Sequence, residues 1–217
     1  MGSGASAAED RDDTSSSGRT RLPPARRHAA IVAAARQRFL TDPDGVTLGE
    51  VASTAGISRS LVYSYFPGGR SELRDAVIDE VAGELRRRLA EAASAPFSDA
   101  RRLEHQLAAL FGWAQQNPAA HRLIFHGLRG ADDANPELEL AVRADLAAEL
   151  AGTLATSRRS ADELLVVSRG VLGLALAAVD LALAGEVDAE TAWRVACDQA
   201  LRGLATPPDG AAATRRA

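Results

Sequence analysis

Apolar residues recur at three- and four-residue intervals along most of the chain, and this spacing predicts an all-α protein. No strand-like alternation of apolar and polar residues stands out. Prolines and glycines interrupt the pattern, and such breaks mark helix ends. The pattern predicts nine helices: one with Ile31, Ala34, Ala35 and Phe39 on a single face, one over 48–55, one that begins after Ser58, and six over 71–93, 98–117, 118–129, 136–155, 161–184 and 189–205.

The helix over 48–55 is bounded by strong local signals. Thr47 precedes its apolar face and Glu50 follows three residues later, which is the spacing of a capping box. Gly56 stands where the helix must end in a left-handed conformation, which a glycine adopts at little cost. We therefore expect the chain to turn sharply at this glycine.

A second short helix is expected directly after the turn. Ser58 can cap it, and Val62 with Phe66 forms an apolar pair that can dock it on the first helix. The small Ala52 falls where the two backbones should approach most closely. Two short crossing helices of this kind form a helix-turn-helix.

The outer face of the second helix carries side chains that donate hydrogen bonds, as contacts with bases and phosphates require. These residues are Arg59, Ser60, Tyr63 and Ser64, followed by Tyr65 and Arg70. A solvated surface helix is the plainer alternative, but the cap, the glycine, the small crossing residue and the aromatic exit occur together here. We therefore favour DNA binding.

The distribution of charge agrees with this interpretation. The net charge of the whole chain is −4, yet residues 24–70 contain six arginines and three acidic residues. The positive charge is thus concentrated in the segment expected to meet DNA. Lysine is absent from the chain, a compositional bias that makes most individual arginines ordinary surface residues.

The run T-L-x-E-V-A-x-x-A-G-I-S-R-S-L-V-Y-S-Y-F over 47–66, with Arg70 and Leu73 after it, resembles the DNA-binding domain of tetracycline-repressor (TetR) type regulators. The resemblance covers roughly residues 24–77. It implies that the second helix enters the major groove, and that Tyr63, Tyr65 and Arg70 hold phosphates. The predicted DNA-binding residues are Arg27, Thr47, Ser58, Arg59, Ser60, Tyr63, Ser64, Tyr65 and Arg70.

Three departures from the family pattern leave the operator sequence open. Arg70 follows Phe66 by four residues, where the family usually has a lysine after three. Leu61 stands where a small or hydroxyl residue is common, and Ser60 where glycine is frequent. The basic residues Arg21, Arg26 and Arg27 form either an arm for the minor groove or a solvated tail.

The chain is expected to comprise a disordered tail over 1–22, a helix-turn-helix domain over 23–70, a helical effector-binding and dimerisation domain over 71–206, and a second disordered tail over 207–217. The resemblance implies a homodimer formed by the last two helices. Residues expected at that interface, with an ordinary monomer core as the alternative, are Leu172, Leu176, Val179, Leu183, Trp193 and Leu201. The helix over 161–184 is apolar round much of its circumference and should be buried.

Aromatic and histidine residues concentrate between positions 105 and 129, where a small-molecule pocket is one interpretation and plain core packing is the other. The candidate pocket residues are His105, Phe111, Trp113, His121, Phe125, His126, Arg129 and Arg169. Arg169 and Asp180 lie too far apart to pair along one helix, so each needs another partner. No HxxxH pair with a carboxylate indicates a metal site, and no cofactor is expected.

The remaining features describe a cytoplasmic regulator. The lone Cys197 excludes an internal disulfide and fits a small core or interface position better than a redox sensor. The longest nearly uncharged stretch, 170–179, is far shorter than the roughly 20 residues of a membrane span, so no membrane partner is expected. We therefore expect a dimeric repressor of a palindromic operator in double-stranded DNA, released by a small apolar effector. The alternative is a helical enzyme or interaction protein, but no catalytic motif supports an enzyme.

Overall fold

The computed structural model describes residues 23–126, 135–154 and 159–203, and within these ranges the regular structure is helical throughout. The predicted tails 1–22 and 207–217 lie outside the described residues. The helices are α1 Pro24–Thr41, α2 Leu48–Ala55, α3 Arg59–Tyr65, α4 Arg70–Ala93, α5 Asp99–Gln116, α6 Pro118–Phe125, α7 Pro136–Leu154, α8 Ala161–Leu183 and α9 Ala189–Arg202. The all-α prediction is confirmed, and so are nine helices within the described parts of the chain.

The head consists of α1, α2 and α3 around a small apolar core. Phe39, Val51 and Val62 are almost completely buried there. The capping box between Thr47 and Glu50 is present, and Gly56 ends α2 in the left-handed region at φ 66° and ψ 34°. The local signals around the turn therefore predicted its geometry correctly.

Helix α4 joins the head to the body without a break. Its inward residues Leu73, Val77, Val81 and Leu85 recur at four-residue steps and are fully buried. Arg36 of α1 forks between Glu80 and Glu84 of α4, with both N–O distances at 2.9 Å. The head is thus fixed to the first half of α4 by apolar packing and by an ion-pair network.

The body is a bundle in which α5 packs against α4, α6, α7, α8 and α9. Helix α6 is short and contacts both α1 and α4, so it lies between the head and the rest of the bundle. Cys197 of α9 is buried, and this burial raises the pKa of its thiol to about 11. The prediction of a small packed residue at this position is confirmed.

Helix α8 differs from its prediction because one side of it lies open in the protomer. Its most apolar stretch has a mean hydropathy of 2.0, yet only 33% of that stretch is buried within the protomer. By length and composition α8 would suffice to cross a membrane, which the sequence interpretation did not foresee. The core helix of a soluble protein meets the same criteria, so this property alone is weak support for a membrane span.

The open side of α8 corrects the predicted dimer residues. Leu172, Leu176 and Val179 are at most 4% exposed and belong to the protomer's own core. The apolar surface of α8 extends round the helix, so the sequence could not show which side packs on the bundle. These three residues lie on the side that does. Leu183, Trp193 and Leu201 are partly buried against the same core.

Candidate nucleic-acid interface

The backbone of α3 is held so that one side faces solvent. The Ser58 hydroxyl caps the helix by accepting from the backbone N–H of Leu61 at 3.2 Å. Val62 and Phe66 anchor the opposite side in the head core, where both are buried. The outer residues, which are exposed, are Arg59, Ser60, Tyr63 and Ser64.

The exposed side chains of α3 are already partly ordered by one another. The Arg59 guanidinium carbon lies 5.6 Å from the centre of the Tyr63 ring, within the range of a cation–π contact. The Ser64 hydroxyl donates to the Leu61 carbonyl at 2.8 Å, whereas the hydroxyl oxygens of Ser58 and Ser60 lie 3.0 Å apart. Arg59 and Tyr63 therefore form the most prominent donor pair on this helix.

Hydrogen bonds and an ion pair fix the side chains at the start of α2. The Thr47 hydroxyl donates to Glu50 Oε2 at 3.0 Å and accepts from the Glu50 backbone N–H. Glu50 also pairs with Arg38 of α1 at 2.6 Å. Hydrogen bonds from Thr47, with a smaller contribution from Arg38, hold the pKa of Glu50 below its ordinary value. If the Thr47 hydroxyl donated to a phosphate, its bond to Glu50 Oε2 would have to break, whereas the capping bond that it accepts from the Glu50 N–H could remain.

Arg70 lies at the first turn of α4, and its guanidinium has partners within the head. One terminal nitrogen donates to the Pro43 carbonyl at 2.8 Å and lies 3.5 Å from the carbonyl of Asp44. The guanidinium carbon is 5.7 Å from the centre of the Phe39 ring. Arg70 therefore connects the start of α4 to the loop between α1 and α2, a role that the sequence did not indicate.

The remaining predicted contacts of the head divide into two groups. Tyr65 is partly buried, and its ring centre lies 6.5 Å from that of His28, a residue that the sequence analysis overlooked. Arg26 and Arg27 lie in the first turn of α1, and a minor-groove contact by these two residues stays a prediction. The predicted arm residue Arg21 lies outside the described residues.

The candidate pocket residues of the body do not form one site. Phe111 and Trp113 are buried in the core, whereas His105 is exposed, with its ring centre 4.9 Å from that of Phe97. The buried side of this turn of α5 carries Leu103, Gln106 and Leu107 instead. Arg129 lies outside the described residues.

Three of the other four candidates line two separate cavities. His121 and His126 line an open cavity of about 290 Å³, and the buried Phe125 contacts His121 with ring centres 5.0 Å apart and ring planes tilted by 51°. Arg169 lines a smaller cavity of about 150 Å³ between α7 and α8.

Comparison with known proteins gives a sequence match for the head and a structural match for most of the chain. Residues 31–77 match the family described as bacterial regulatory proteins, tetR family. No curated protein matches the chain by sequence.

Solved structures of similar shape are numerous. A TetR-like transcriptional regulator from Rhodococcus sp. RHA1 is 22% identical with a TM-score of 0.63, and the match covers 86% of this chain and 100% of that one. A tetR-family transcriptional regulator from Streptomyces coelicolor is 23% identical with a TM-score of 0.65, covering 88% of this chain and 94% of the other. A second TetR regulator from Rhodococcus sp. RHA1 is 20% identical with a TM-score of 0.64, covering 84% and 97%.

At these identities the shared structure establishes the fold, whereas the sequence match identifies the head as a tetR-family DNA-binding domain. The matched residues contain both helices of the helix-turn-helix and the first part of α4. The chain therefore carries a tetR-family DNA-binding domain over residues 31–77, on a body that has the fold of solved tetR-type regulators.

Proposed function

We propose that the chain is a dimeric, ligand-responsive repressor that acts in the cytoplasm on a palindromic operator. The observation that carries this proposal is the exposed donor face of α3 on a head that α4 joins directly to the body. In a dimer, each α3 would enter a major groove, with half-sites about 34–36 Å apart. Arg59 and Ser60 lie nearest the bases in this arrangement, and Tyr63 and Tyr65 contact phosphates.

The exposed side of α8 and the adjacent part of α9 support dimerisation. Leu165, Val166 and Leu181 of α8 are 49%, 72% and 41% exposed, and Val195 of α9 is 44% exposed. The exposed small residues Gly170, Gly173 and Ala177 lie along α8 between the large ones and permit close approach of a second helix. An apolar stripe of this length would be poorly accommodated in water, so we place it against its copy in a second protomer.

The cavity between α7 and α8 supports an apolar effector with an acidic group. Leu140, Leu172 and Leu176 supply apolar walls, whereas Arg143 and Arg169 bring positive charge to the same space. Arg143 is held in place because it donates to the Phe125 carbonyl at 2.9 Å and stacks over the Phe125 ring. A carboxylate or phosphate on an otherwise apolar molecule would complement this lining.

Release from DNA follows from the position of α4. The head is fixed to α4 through Arg36, and α4 packs against α5, α6 and α7 in the body. A ligand that repacks these helices changes the separation of the two heads and therefore favours a dimer that fits the operator less well. A coupling free energy of about 1–3 kcal/mol would lower operator affinity about 5- to 150-fold.

Fluorescence anisotropy with DNA that flanks the chain's own coding region tests the proposal, with the oligomeric state measured on the same samples. We expect saturable binding by a dimer. Arg59→Ala should relax base preference, because a bidentate contact with guanine contributes about 1–3 kcal/mol of discrimination. Arg101→Ala, which removes an exposed arginine of α5, serves as the matched control and should leave binding unchanged. An intact dimer that fails to bind at low salt would contradict the proposal.

A further inference from the structure

The end of α6 and the last turn of α8 bring two imidazoles and a carboxylate to one point. His121 Nε2 lies 2.7 Å from Asp180 Oδ1, and His126 Nε2 lies 2.8 Å from the same oxygen. One potential ligand atom from each of the three side chains lies within 4.8 Å of the others. The three residues will be called the His–Asp–His cluster.

The geometry of the α6 terminus explains how histidines five positions apart converge. On a continuous helix, residues at this spacing point to different sides. Helix α6 ends at Phe125, however, and His126 occupies its C-cap with φ −122° and ψ −2°. The backbone therefore leaves the helical path at His126, and its ring centre comes to lie 5.6 Å from that of His121.

The cluster resembles three ligands of a tetrahedral metal site. Metal bonds of about 2.0–2.1 Å would place ligand atoms roughly 3.3 Å apart, so the present nitrogen–oxygen contacts need to lengthen by about 0.5 Å. The His126 and Asp180 side chains are 47% and 38% exposed and can make this adjustment, whereas His121 is 1% exposed and fixed. The adjoining open cavity leaves room for a fourth ligand.

We propose that the His–Asp–His cluster binds one divalent transition metal ion of the Zn²⁺ class per protomer, with water in the fourth position. Two imidazoles and one carboxylate favour Zn²⁺, Co²⁺ or Ni²⁺ over Mg²⁺ and Ca²⁺, which prefer sites made of oxygen ligands. The ion would connect the end of α6 to α8 through histidines that lie 59 and 54 residues from Asp180 in the sequence. This binding requires no operator and stands apart from the repressor function proposed above.

One feature of the cluster limits its affinity. His121 Nδ1 is buried and has no hydrogen-bond partner among the described residues. When Nε2 binds a metal, the ring proton resides on Nδ1, and metal sites usually supply an acceptor there. Loss of such an acceptor lowers metal affinity about 10- to 100-fold, so we expect weaker binding than at a fully supported site.

Titration of the full-length, metal-free protein with Co²⁺ tests the proposal, because tetrahedral Co²⁺ gives intense visible d–d absorption. We expect saturation at one ion per protomer and displacement of Co²⁺ by Zn²⁺. Asp180→Asn and His126→Gln should each weaken Zn²⁺ binding roughly 10-fold or more in calorimetry, since each removes one of three ligands. Circular dichroism would establish that these variants remain folded.

His105→Gln provides the matched control, because it removes an exposed imidazole on the outer side of the same domain. This variant should bind Zn²⁺ as tightly as the unchanged protein. Absence of saturable Co²⁺ absorption would overturn the proposal, and so would a His126→Gln protein with unchanged affinity. Loss of binding in His105→Gln instead would show that the metal binds elsewhere.

Discussion

Replacement of Arg70 distinguishes a head-positioning arginine from a phosphate contact. Its guanidinium makes one short charged hydrogen bond to the Pro43 carbonyl and stacks on Phe39. A hydrogen bond to a charged group contributes about 1.5–3 kcal/mol, and a partly exposed cation–π contact about 0.5–1 kcal/mol. Arg70 is partly exposed, so water can replace part of these two interactions. We therefore expect Arg70→Ala to lower the free energy of unfolding by about 1–2 kcal/mol.

Thermal unfolding at a fixed protomer concentration measures this loss. A chain of this size loses about 2–4 °C in Tm for each kcal/mol. Arg70→Lys should be destabilised almost as much as Arg70→Ala, since a lysine keeps the charge but lacks the planar fork that reaches the carbonyl and the ring. Arg59→Ala, in the exposed face of α3, is the control and should leave Tm nearly unchanged.

The salt dependence of DNA affinity supplies the decisive comparison. Loss of a phosphate contact lowers the slope of log K against log salt by about one, because one fewer counterion is released. If Arg70 positions the head, Arg70→Ala weakens binding while the slope stays the same. An unchanged Tm together with a slope reduced by about one would refute this reasoning and restore Arg70 as a phosphate contact.

Three further predictions follow from the geometry. Gly56→Ala should cost about 1–2 kcal/mol because Gly56 is left-handed, and Gly56→Asn should cost less; equal denaturation midpoints for the two would contradict this. Val166→Glu should shift the dimer towards monomer in sedimentation, whereas Phe97→Glu, at an exposed apolar residue away from α8, should not. Cys197, with its pKa at about 11, should react very slowly with a thiol reagent at pH 8, where roughly one molecule in a thousand is thiolate, and rapidly once the chain is unfolded.

The head was predictable from the sequence because its signals are local. Thr47, Glu50, Gly56 and Ser58 act within four residues of themselves, so their spacing contains nearly all the information that the turn requires. Arg70 shows the limit of such signals. Its hydrogen bond to the Pro43 carbonyl joins residues 27 positions apart, and no spacing rule links the two positions.

The body was less predictable for two physical reasons. The apolar surface of α8 extends round the helix, so the pattern cannot tell that Leu172 faces the protomer core while Val166 faces outward. The His–Asp–His cluster depends on a helix end at Phe125 and on a residue from α8, neither of which the spacing of its histidines reveals.

The length of the unbroken helix α4 determines how far the head moves when the helix tilts. Its 24 residues span about 36 Å at 1.5 Å per residue. Treated as a rigid rod pivoting at its body end, it moves its DNA end by about 3 Å for a tilt of only 5°. That displacement is close to the spacing of consecutive base pairs, so a rearrangement too small to disturb the packing of the bundle would shift each α3 by nearly one step along the groove.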